Sequence, residues 1–147
     1  GGNYLQEVGP MGNGSIPEPS QDILRRVGKW LKVNGVAMYG AGKTPFGDEL
    51  SRSDWRCTVQ PFDWTWGKPG KLYFHLFKWP VPGDGEGSAR KFSVTSVNGK
   101  IGKSYLLADP ARKPLETGRS STGDKLTVRL PDRATDEIDS VLCVEVQ

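Results

Sequence analysis

The sequence predicts a mainly β protein, an antiparallel β-sandwich preceded by one strand-loop-helix unit taken from the end of a larger α/β domain. Three observations carry this. Nineteen Gly and eleven Pro among 147 residues demand many turns and favour short strands over long helices. Beyond residue 55, short apolar runs alternate with turn signals, at about the 8–12-residue spacing of an all-β sandwich. Only residues 23–31 carry a helical stripe. The length suits one domain with one real core.

The first element is a short strand over residues 3–8, Asn3 to Val8. Gly9-Pro10-Met11-Gly12-Asn13-Gly14-Ser15 must then be a loop, because Gly and Pro at this density break either period. Ser15 and Glu18 fit a Ser-x-x-Glu capping box, with Pro17 tolerated in the first turn and Pro19 an alternative first helical residue. Ile23, Leu24, Val27, Trp30 and Leu31 fall on one face of the helix. Arg25, Arg26, Lys29 and Lys32 lie largely on the other side, and several suit the C-terminal end of the helix dipole. Asn34-Gly35 stops the helix. No Met stands at position 1. The unit is therefore expected to begin partway through a larger domain, whose other elements would bury its apolar face.

Residues 41–54 read as a linker, with Gly42, Pro45, Gly47 and Ser53 interrupting any period. This divides the chain into a barrel-like unit over 1–40 and a sandwich over 55–147. Strands are expected at Arg56–Val59, Phe62–Trp66, Lys71–Trp79, Lys91–Thr95, Ser104–Leu107, Asp124–Leu130 and Ser140–Val146. The last is apolar on both faces, as a central strand is.

Charge is nearly balanced, 20 basic against 17 acidic residues, and the basic residues are scattered. That is a solvated surface, so no nucleic-acid partner is expected. No apolar stretch approaches a membrane-spanning length, so no membrane partner is expected either. One His and two distant Cys cannot supply a metal-ligand spacing, and no metal or other cofactor is expected. Cys57 and Cys143 both sit in strand-like runs; two buried thiols or one bridge would satisfy the sequence. His75 lies in the strongest strand with no nucleophile nearby, so it is read as a strand histidine on a sheet face.

Candidate binding residues are few. The loop from Gly9 to Gly14 lacks the Lys-Ser ending of a phosphate-binding loop, but a strand-to-helix loop can shape a barrel pocket. Asn3 and Tyr4 belong to the strand that feeds it, and Glu7, near the strand's exit, is the catalytic candidate. Trp64 and Trp66 share one face by alternation; a packed core or a sugar-stacking platform would both use them so. Asn3, Trp64 and Trp66 are therefore the substrate-binding candidates.

Two stretches resemble a known family. Gly-Gly-Asn-Tyr-Leu, Val8-Gly9-Pro10, Ile16-Pro17-Glu18-Pro19, Gly28–Gly35 and Ala37-Met38-Tyr39-Gly40 resemble the end of the catalytic (β/α) barrel in glycoside hydrolase family 29, the α-L-fucosidases. Asp54–Thr58 and Lys71–Pro80 resemble the start of that family's C-terminal β-sandwich. The resemblance implies a retaining hydrolase that removes terminal α-L-fucose with an Asp nucleophile and a separate acid/base carboxylate. It implies fucosylated carbohydrate as the partner. In the family pattern both carboxylates lie on earlier barrel strands, so this chain is expected to be inactive alone. Where the family usually has Leu-Leu-Asn, this chain has Leu5-Gln6-Glu7. A carbohydrate-binding module and a purely structural brace are the alternative readings. The bare strand edge and apolar helix face predict self-association through residues 1–40.

Overall fold

The structure is a computed structural model that describes residues 4–47, 54–83 and 89–147. One helix, α1 (Glu18–Asn34), runs into a short 3-10 turn, Gly35–Ala37. Seven strands follow: β1 (Trp55–Gln60), β2 (Gly70–Leu76), β3 (Lys91–Val94), β4 (Ile101–Leu106), β5 (Thr117–Arg119), β6 (Leu126–Arg129) and β7 (Ser140–Val146). They form two antiparallel sheets, β1-β2-β7-β4 and β3-β6-β5.

Alternation assigns the faces. Along β2, Leu72, Phe74 and Leu76 enter the sandwich core, while Tyr73 and His75 point away from it. The register repeats this across the first sheet: Cys57 and Leu142 lie opposite Phe74, while Thr58 and Cys143 lie opposite Tyr73. Phe92, Val94, Leu126 and Val128 close the core from the second sheet. Trp55, Phe74 and Phe92 meet inside it at ring separations of 4.9 to 5.9 Å, the offset and edge-on contacts that aromatic rings prefer.

The outer face of the first sheet is covered by the helix and its 3-10 turn. Trp30 and Ala37 pack there with Tyr73, Tyr105, Leu107, Val141 and Cys143. The molecule therefore has three layers: helix, sheet, sheet. β7 is the central strand anticipated from its two apolar faces, paired with β2 on one side and β4 on the other. Cys57 and Cys143 lie on opposite faces of the first sheet and both are thiols, which answers the question of a bridge.

Three expectations are corrected and one unanticipated strand is added. Residues 4–10 form no strand, and Tyr4 and Leu5 are 87% and 82% exposed. A strand needs hydrogen-bonded neighbours, and this segment has none among the described residues. Ser15 does not cap the helix: its hydroxyl donates to Asn13 Oδ1 at 2.7 Å, and Pro17 occupies the cap position with no side-chain bond. Phe62–Trp66 is part of the loop joining β1 to β2, because Pro61 brings no N–H to continue the ladder. β5 was missed, since Thr117-Gly118-Arg119 is a wholly exposed edge segment with no apolar alternation.

The linker contributes to the fold. Gly42 bridges to Val59, and Phe46 is buried against Trp55, Trp66 and Phe74.

Candidate functional site

The junction of α1 with the first sheet holds a linked polar group. Trp30, at the inner edge of the helical stripe, donates from Nε1 to the backbone carbonyl of Asp139 at 2.8 Å. Asp139 precedes β7, and its Oδ2 lies 3.0 Å from His75 Nδ1 on β2. The other imidazole nitrogen lies 3.3 Å from Thr58 Oγ1 on β1. Thr58 in turn donates to the carbonyl of Ala37, just past the helix, at 2.6 Å. The His75 ring also sits beneath Trp30, with centroids 6.1 Å apart. One network thus ties the helix and its exit to three strands of the sheet.

A hydroxyl, an imidazole and a carboxylate in sequence invite a catalytic reading. The geometry opposes it. His75 is buried, and the Thr58 hydroxyl is already committed to Ala37. A nucleophile must be open to substrate with its proton directed at the base. This is a buried brace, as the sequence reading of His75 as a sheet-face histidine anticipated. Asp139 and Thr58 could not be matched to it in advance, because they stand 64 and 17 residues away and carry no spacing signal.

Beside the brace, burial is the largest influence on the ionisation of three groups. It pushes the Tyr73 hydroxyl up to about 12 and the Cys143 thiol up to about 11. Tyr105 is raised by the same burial and by its hydrogen bond with Cys143. All three stay neutral at ordinary pH, so none is an activated nucleophile or base.

The other candidates are dispersed. Glu7 is exposed on the irregular segment, with its backbone carbonyl accepting from the Gln6 side chain. Asn3 lies outside the described residues. Trp64 is only 6% exposed and donates to the carbonyl of Lys68 at 2.8 Å, so it is core and cannot serve as a sugar platform. Trp66 packs against it at 4.8 Å and is half-buried. Trp79 is likewise turned inward, donating to the carbonyl of Pro131. The structure brings Trp64 and Trp66 together and leaves Glu7 apart from them. Several carboxylates have a cation beside them: Asp22 has Arg25, Glu116 has Arg129, and Glu145 has Lys71. Among the described residues no cluster of His, Cys, Asp or Glu could hold a metal ion, and no helix is long and apolar enough to cross a membrane.

The helix leaves an apolar face uncovered. Ile23 and Val27 are 61% and 49% exposed, and Leu24, Val33, Val36, Met38 and Tyr39 are exposed as well. Ile23, Val27 and Trp30 line one side of a groove of about 300 Å³, with Ile138 and Asp136 on the other. An amphipathic helix normally buries its apolar stripe. Here one edge of the stripe is docked and the rest faces outward.

Comparison with known proteins agrees with this picture. A family profile described as α-L-fucosidase matches residues 1–36. The plasma α-L-fucosidase of Rattus norvegicus is 33% identical over 136 residues, covering 89% of this chain and 26% of that protein. The plasma α-L-fucosidase of Homo sapiens is 39% identical over 88 residues, covering 56% and 16%. Among solved structures, α-L-fucosidase isoenzyme 1 from Paenibacillus thiaminolyticus superposes with a TM-score of 0.68 at 26% identity, over 95% of this chain and 30% of that one. A trapped covalent intermediate of the family 29 α-L-fucosidase from Bacteroides thetaiotaomicron has a TM-score of 0.70 at 20% identity, over 95% and 28%, and shows the shared fold. The chain spans about a quarter to a third of the length of those it matches over most of its own. It belongs to the α-L-fucosidase family, where it corresponds to the C-terminal part of the larger enzymes.

Proposed function

We propose that this chain acts as the bracing part of an α-L-fucosidase. Its helix would close the catalytic barrel, and its sandwich would hold that helix in place. The retaining removal of terminal α-L-fucose belongs to the whole enzyme, with the two carboxylates supplied by the barrel. The observation that carries this is the two-sidedness of α1. Trp30 is fastened to the sandwich, while Ile23, Leu24 and Val27 remain 61%, 37% and 49% exposed among the described residues. These residues fall within the segment that matches the family profile. Leaving such an apolar face in water is unfavourable by roughly 25 cal/mol per Å². In the absence of a barrel, the same face and the exposed Tyr4 and Leu5 drive self-association through residues 1–40. Fucosylated carbohydrate is then a ligand of the assembled enzyme.

The test is complementation. The chain is mixed with a separately produced barrel portion of a related α-L-fucosidase. A stoichiometric complex is expected, and Val27→Glu should abolish it while leaving the sandwich folded. Failure of wild-type and Val27→Glu alike to bind would refute the bracing role.

A further inference from the structure

We infer that the end of the first sheet beside the helix exit is a binding cleft for a neutral saccharide. The inference goes beyond the bracing role and does not depend on it.

The helix layer covers only part of the outer face of the first sheet. Tyr73 and Cys143 lie beneath it. Two residues along each strand, on the same face, stand Gln60, Lys71 and Glu145. The register lines them up across β1, β2 and β7, with Gln60 opposite Lys71 and Lys71 opposite Glu145. Val36 from the helix exit and Pro61, Phe62 and Pro69 from the loop between β1 and β2 wall this polar row. Together they shape an open cleft of about 740 Å³, within the range of roughly 300–1,000 Å³ seen for ligand clefts.

The walls are fixed in advance. Gln60 is spent on structure: its amide N–H groups donate to the carbonyls of Val36 at 2.7 Å and Tyr39 at 3.1 Å, and its Oε1 accepts from the Tyr73 hydroxyl at 3.3 Å. These bonds hold the helix exit against the sheet. Phe62 stands on the opposite side, 72% exposed. A lone exposed ring is ordinary, but this one rises from a fixed backbone beside a polar row. The Trp64 N–H donates to the Pro61 carbonyl at 3.0 Å, and Gly42 lies so close that a Cβ there would overlap the Phe62 carbonyl. A preorganised wall costs little to order on binding.

Charge selects the ligand. Lys71 Nζ lies 3.6 Å from Glu145 Oε1, with the two side chains 40% and 34% exposed. The pair cancels, so the floor favours neither an anion nor a cation. An ammonium keeps further N–H donors, and a carboxylate keeps further lone pairs, when the two are paired. The floor therefore suits a neutral molecule that donates and accepts at adjacent positions, and Phe62 suits one with an apolar face. Adjacent hydroxyls on a pyranose ring have the first property, and the C–H face of that ring has the second. A nucleic-acid backbone would need net positive charge, which Glu145 removes.

The experiment is affinity electrophoresis of the full chain through gels containing galactomannan, xyloglucan or dextran, with dextran sulfate as the charged comparison. Retardation by at least one neutral polymer is expected, and it should not weaken as salt rises, because no counterions are released. Phe62→Ala should weaken retardation by about fivefold or more. Lys71→Met with Glu145→Gln leaves net charge unchanged and should weaken it by about fivefold or more as well. Phe77→Ala removes another exposed ring, beyond the far end of β2, and should change it by less than about twofold. Circular dichroism checks each fold, and if the double variant fails to fold the two Phe variants decide. No retardation by any of the three neutral polymers would overturn the proposal. So would equal effects of Phe62→Ala and Phe77→Ala, or retardation by dextran sulfate alone that fades with salt.

Discussion

His75 Nδ1 lies 3.0 Å from Asp139 Oδ2, and the same Asp139 accepts the Trp30 indole N–H at its backbone carbonyl. The one histidine of the chain therefore holds the residue on which the helix is docked. The second carboxylate oxygen of Asp139 is buried without a hydrogen-bond partner among the described residues. His75→Ala would leave the whole carboxylate unpaired, at a cost of about 2–3 kcal/mol. The expected signature is uneven: amide exchange accelerates along α1 more than along β7. Uniform acceleration, or none, would show that the brace does not hold the helix.

Two glycines are predicted to be intolerant of any side chain. A Cβ at Gly70 would overlap the Trp64 ring and come within 2.8 Å of the Gln60 carbonyl oxygen, and one at Gly42 would overlap the Phe62 carbonyl. Backbone and a buried ring cannot yield cheaply, so Gly70→Ala and Gly42→Ala should each cost about 1–3 kcal/mol or more. Gly28→Ala, at a helical position with open space, should be neutral or slightly stabilising. Urea midpoints for the three variants decide this, and equal midpoints would contradict it.

Alkali should unfold the chain through the helix-facing cluster. Burial raises Cys143 from 9.0 to about 11 and Tyr73 from 10.0 to about 12. A folded state that holds its proton more tightly keeps its full stability below the unfolded values. It loses stability as pH rises through the folded ones. The urea midpoint should therefore fall between pH about 9 and about 12. Tyr73→Phe should flatten the upper half of that fall. A midpoint constant to pH 11.5 would exclude this account of the cluster.

The exposed helix face predicts concentration-dependent association of the isolated chain. Sedimentation velocity should show a dimer or larger species that Ile23→Glu with Val27→Glu returns to monomer. A wild-type monomer at all concentrations would remove the case for that face as an interface.

What could be read from the sequence follows from how local each signal is. The α1 stripe and the apolar β7 are patterns within one segment, and both appear as anticipated. The strand expected over residues 3–8 failed because strands need partners, and none of this chain's described strands reaches it. Phe62-Asp63-Trp64-Thr65-Trp66 alternates as strands do, but Trp64 and Trp66 pack from a loop and Phe62 is exposed. The brace was illegible for the same reason. His75 meets Asp139 only once β2 and β7 are paired.

The central claim is that this chain braces a fucosidase barrel and brings no catalytic carboxylates of its own. The most direct measurement is phenol release from an aryl α-L-fucoside by the mass-verified chain. The account predicts no release above buffer from the chain alone, and release once the barrel portion is added. Release that co-purifies with the isolated chain and disappears on Glu7→Gln would contradict it.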